Sequence, residues 1–139
     1  MAMGGIQLKA VKKDDEQLKM QKELEQISER LGLNQSEKEK LGGLSKKFEV
    51  PPERVAATIF LNNATPNRLN WLRTMALDKD QDAEEKERFS KIYAIMMEIS
   101  KPTGFQREYR EIKEEYLPLV NKIRDPENAK LFKDYSIDY

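Results

Sequence analysis

The chain contains no cysteine and no histidine. Without thiols there is neither a disulfide framework nor a thiolate metal site. Without imidazole it lacks the usual general base and the commonest transition-metal ligand. No apolar run approaches the ~20 residues that a bilayer-crossing helix requires. Met1-Ala2-Met3-Gly4-Gly5 has neither the basic region nor the apolar core of a secretory leader. Leu8 stands where a myristoylation signal read from Met3 would place Ser or Thr. The triplets at Asn34-Gln35-Ser36 and Asn63-Ala64-Thr65 fit the glycosylation pattern but carry no weight without secretion. The expected location is the cytoplasm. Strand signals, internal repeats and low-complexity tracts are also missing.

What remains is material for helices. Of 139 residues, 38% are hydrophobic and 36% charged, while Gly and Pro number six each. A core drawn from so few apolar residues has to be assembled from narrow helix stripes. The formal charge is zero but unevenly spread. Residues 1–33 hold six basic and six acidic side chains, 34–75 hold seven and four, and 76–139 hold twelve and fifteen. Any phosphate-binding surface therefore belongs to the middle of the chain.

Residues 1–13 show no periodicity and predict a flexible arm, with 14–139 forming a single helical domain. Asp14 or Asp15 caps a first helix with Met20, Leu24, Ile27 and Leu31 on one seam, ended by Gly32. Ser36-Glu37-Lys38-Glu39 reads as a capping box for a second helix, in which Gly42-Gly43 predicts a weak point or split, with a close approach of another backbone as the alternative. Val50 before a proline ends that element, and Pro52 opens the next. Thr65-Pro66 starts a fourth helix. Asp78, Asp80 and Asp82 lead into a fifth, carrying Phe89, Ile92, Tyr93, Met96 and Ile99. After a turn at Pro102-Thr103-Gly104 comes a regular seam of Phe105, Tyr109, Ile112, Tyr116, Leu119 and Ile123. Its spacing predicts a helix, interrupted near Glu114–Glu115 by Pro118. Asp125-Pro126 starts a short last element, and 135–139 is a frayed aromatic-acidic tail. The predicted fold is an all-α compact bundle of about six short helices.

Residues 44–61 have the pattern of a helix-turn-helix corner. In that motif the second helix lies in the major groove with its first residues at base edges. Lys46 and Lys47 would reach phosphates; Glu53, Arg54, Ala57 and Thr58 would face bases, and Asn62, Asn63, Asn67 and Arg68 would add hydrogen bonds nearby. Glu49 stands where such turns place glycine, and one arginine with two lysines makes a small electrostatic footprint. Asp78-Lys79-Asp80-Gln81-Asp82 starts like a calcium loop, but Ala83 replaces the turn glycine and Phe89 the bidentate glutamate. Carboxylates such as Glu111 and Glu115 are surface neighbours, and no phosphate-binding loop follows either glycine pair. No enzyme activity, cofactor, metal or small-molecule substrate is expected. The first functional expectation is a non-catalytic protein-binding or regulatory module acting through helical surfaces. Its partner is another protein or a second copy, met by Tyr109, Tyr116 and Met97, whose side chains suit interfaces. The alternative is a DNA-binding regulator using residues 44–61.

Overall fold

A computed structural model of the chain describes the backbone of residues 2–104 and 106–135 and the side chains of 15–104 and 109–135. Among these residues are six α-helices and one antiparallel hairpin. In order they are α1 (Ala2–Leu31), α2 (Gln35–Phe48), α3 (Pro52–Leu61), α4 (Pro66–Leu77), α5 (Ala83–Ile99), β1 (Ser100–Thr103), β2 (Gln106–Ile112) and α6 (Leu117–Ile123). Short 3-10 segments lie at Glu114–Tyr116, just before α6, and at Pro126–Lys130, after it. The bundle is the expected all-α type, with a hairpin added to it.

The helix begins at Ala2, so Asp14 and Asp15 lie inside α1 and do not cap it, and the stretch expected to be an arm is helical. Extending an existing helix adds one hydrogen bond per residue fixed, and Lys, Leu, Ala and Gln are good formers. Ile27 and Leu31 are buried where the helix meets α2 and α3. Gly32 ends it with φ +68°, as expected of a glycine there.

The capping box of α2 sits two residues earlier than Ser36 and Glu39. The Asn34 side chain accepts from the Glu37 N–H at 2.9 Å, and the Glu37 carboxylate accepts from the Asn34 N–H at 2.8 Å. Glu37 is buried and Ser36 exposed, because α6 brings Lys122 within 2.7 Å of the Glu37 carboxylate. The helix does not split at Gly42-Gly43. A Cβ on Gly42 would lie 2.9 Å from Leu24 Cδ2 of α1, so this glycine permits a close helix approach.

The corner between α2 and α3 forms as the prolines dictate. Glu49 turns the chain in the left-handed conformation (φ 54°, ψ 47°) that the missing glycine would have taken without strain. The Ser45 hydroxyl donates to Val50 O, and the Val50 N–H returns to Ser45 O at 3.1 Å. Helix α3 then runs through the centre, with Val55, Ala56, Ala57 and Ile59 at most 2% exposed.

Thr65 caps α4 as expected, and of the three acids before α5 it is Asp82 that caps it, each accepting from the backbone N–H three residues on. The two helices pack extensively on each other. Trp71 meets Phe89 edge-on at 5.3 Å, and Leu72, Ile95 and Met96 are buried.

The helical seam expected across 105–123 is not one helix. Pro102 and Gly104 (φ +40°) reverse the chain, and β2 returns antiparallel to β1. Ser100 pairs with Ile112, Lys101 with Glu111 and Pro102 with Arg110, before a register shift at the tip. Once a proline has ended α5, pairing with β1 is what satisfies the backbone groups of the returning segment. Pro118 does break the pattern as expected, and it sits in the first turn of α6. Leu119, Val120 and Ile123 are buried by that helix, and Phe132 follows them into the core. Tyr135 packs on Phe132 at 6.5 Å. Phe105 and the tail 136–139 lie outside the described residues.

Candidate protein-binding groove

The residues expected to contact DNA do not form one open face. Lys46 is exposed, but Lys47 is paired with Glu98 at 2.8 Å. Glu53 and Arg54 are half-buried. Ala57 and Thr58, expected at base edges, are 2% and 4% exposed, and the Thr58 hydroxyl donates to Arg54 O at 2.8 Å. The reason is that α3 has α1, α2, α5 and α6 packed around it. Arg68 donates through Nε to Asn62 Oδ1 at 2.7 Å, and its guanidinium lies 4.7 Å from the Trp71 ring.

The three candidate partner residues also part company. Tyr116 is half-buried beside the Lys47–Glu98 pair; burial first, then the charges of Glu98 and Glu115, push its phenol above the ordinary value. Met97 is half-buried, and its carbonyl accepts from Arg110 Nη2 at 3.4 Å. Tyr109 is 52% exposed, on the rim of a groove.

That groove has a volume of about 690 Å³, with residues 63–67 on one wall, 109–112 on the other, and Arg124 between them. The face of a strand shows only alternate residues. Four consecutive lining residues therefore mean that the groove follows the strand's edge. The backbone phase agrees, since the Lys113 N–H donates to Ile99 O at 2.9 Å. Odd residues of β2 thus bond to β1, and Arg110 and Ile112 direct their backbone N–H and C=O outward. The sheet has two strands, so among the described residues no strand pairs with that edge. On β1 the corresponding outward positions are Ser100 and Pro102, and Pro102 has no N–H to offer.

The opposite wall is held by Asn62, which is 1% exposed. Its side chain donates to Thr58 O at 2.9 Å and accepts from Arg68, while its carbonyl accepts from Arg124 Nη2 at 2.7 Å. Arg124 Nε also donates to Ile59 O at 3.1 Å, so this cation closes the C-terminus of α3. Burial lowers the pKa of its guanidinium. Arg110 is anchored in the same way, to Ser100 Oγ at 3.0 Å and Ser100 O at 2.7 Å. Neither arginine has a carboxylate within 4.0 Å among the described residues. The sequence singled out Tyr109, named Asn63 and Asn67 only as hydrogen-bonding neighbours of a DNA site, and passed over Arg110 and Arg124. The polar run 62–65 between two helix signals was the one visible pointer to this wall.

A second cleft, of about 360 Å³, lies between the α2–α3 corner and α5. Its charges largely satisfy one another, with Arg88 on Glu85 at 2.7 Å and Lys91 on Glu87 at 3.3 Å. Among the described residues no group of three His, Cys, Asp or Glu could hold a metal ion, and no helix is long and apolar enough to cross a membrane. No protein-family model, curated protein or solved structure matches the chain.

Proposed function

We propose that this chain is a non-catalytic protein-binding module of the cytoplasm, with an adaptor or assembly role. Its partner sits in the groove between β2 and residues 63–67. The observation that carries the reading is the outer edge of β2, with which no described strand pairs, beside an exposed Tyr109. An unpaired strand edge is a template for another chain, and proteins usually block it. Tyrosine, with an apolar ring and a polar tip, is enriched at interfaces. The site thus moves from the helical surfaces to the hairpin.

DNA binding through residues 44–61 rests on the sequence pattern alone, since Ala57 and Thr58 face the core. The test is affinity capture from the native host's lysate, with and without nuclease. A protein partner that survives nuclease, and is reduced by Tyr109→Ala, is the expected result. Capture of nucleic acid alone contradicts it.

A further inference from the structure

We infer that the groove takes an acidic, extended segment of another protein, which adds as a third strand to the outer edge of β2. The inference rests on the protein-binding reading above and names the chemistry of the partner.

Two features define the occupant. The first is the asymmetry of the hairpin. Pro102 blocks the edge of β1, while Arg110 and Ile112 leave their backbone donors and acceptors pointing into the groove. An extended chain satisfies such a row, whereas a helix keeps its backbone groups for itself. The register shift past Pro102 limits the regular edge to residues 110–112, a span of about 10 Å. The added strand is therefore short, and main-chain bonds alone give it little affinity.

The second feature is charge. Arg110 and Arg124 line the groove, and among the described residues both donate only to neutral oxygens. The one carboxylate among the described lining residues, Glu111, lies 3.7 Å from Lys101. Thr65, Pro66 and Asn67 bring the first turn of α4 to the same wall, at the positive end of its dipole. A half-buried cation with no counter-ion among the described residues has lost water that an incoming carboxylate would replace, so acidic side chains are selected. Tyr109 on the rim offers its ring to an apolar neighbour in the segment.

The test uses the full chain and a short fluorescent peptide alternating valine with glutamate, read by anisotropy. It should bind, and weaken as salt rises, while the peptide with lysine in place of glutamate should not bind. Asn67 is exposed in the first turn of α4, so Asn67→Glu suits the helix and puts a like charge in the groove. It should weaken the glutamate peptide about tenfold without lowering the melting temperature. Equal binding of both peptides, no binding of either, or no effect of Asn67→Glu overturns the inference. Lysate capture with the same variant separates this from the broader reading. A nuclease-resistant partner kept in full by Asn67→Glu overturns the acidic strand and leaves protein binding standing. Finding no nuclease-resistant partner for either form overturns the protein-binding reading itself.

Discussion

Lys122 of α6 reaches Glu37 of α2 with 2.7 Å between Nζ and Oε1, and the same ammonium donates to Gly32 O at 3.0 Å. One side chain thus ties the end of α1, the start of α2 and α6 together. Burial pushes the Glu37 carboxyl up, but hydrogen bonds from Lys122 and the Asn34 N–H outweigh it. With the charges of Lys122 and Lys40, they hold the group below the ordinary value. A carboxyl lowered in the folded state contributes stability above its unfolded pKa and loses it as pH falls through the folded one. Lys122→Met should therefore destabilise the chain by about 2 kcal/mol at neutral pH, leaving a buried charge short of its partner. The penalty should shrink as pH falls and Glu37 becomes protonated, since a neutral carboxyl no longer needs the ammonium. Urea melts across the acid range check both effects.

The neighbouring glycines of α2 should respond differently to alanine. Gly43 has nothing within 4 Å of a new Cβ, so Gly43→Ala should stabilise by up to about 1 kcal/mol through helix propensity alone. At Gly42 the new methyl would meet Leu24 Cδ2 at 2.9 Å, and α1 or the Leu24 rotamer has to give way. Gly42→Ala should fall short of Gly43→Ala by about 0.5–1 kcal/mol, because the end of the half-buried Leu24 side chain can move aside. Parallel denaturant titrations give the comparison.

Glu49 is the one described residue other than glycine with positive φ. A left-handed residue with a Cβ costs roughly 1–2 kcal/mol, part of which glycine returns as chain entropy. Glu49→Gly should stabilise by about 0.5–1 kcal/mol. The Lys91 contact survives, because it is made to the Glu49 backbone carbonyl. Thermal melts of the two proteins test it.

Asn62 joins α3, α4 and α6 through polar contacts at a site that water does not reach. Asn62→Leu should cost about 2–3 kcal/mol, since the Thr58 carbonyl and the Arg68 Nε each lose a partner. The loss should appear in the midpoint of a urea titration with the slope unchanged.

Most helix boundaries were legible because their signals are local. Gly32, Pro52, Thr65-Pro66, Asp82 and Asp125-Pro126 act through the sterics and hydrogen bonds of their own turn. The cap of α2 was misplaced because a distant residue decides it: Lys122 selects Glu37 across 85 positions. The hairpin was hidden by coincidence, since Phe105, Tyr109 and Ile112 also fall at helical spacing. Its strand alternation, Tyr109 and Glu111 outward against Arg110 and Ile112 inward, is disguised by the charge at Arg110. Only the fold reveals that this arginine is anchored on Ser100 and Met97. The groove was illegible for the same reason, because it exists where residues 63–67, β2 and Arg124 converge.

Amide hydrogen exchange at β2 tests most directly the claim that this edge is where a partner binds. In the free protein the N–H groups of Glu111, bonded to β1, and of Lys113, bonded to Ile99 O, should exchange slowly, while those of Arg110 and Ile112 exchange faster. On adding the valine–glutamate peptide, Arg110 and Ile112 should become protected. If they are already as slow as Glu111 in the free protein, or the peptide leaves them unchanged, the strand edge is not the binding site.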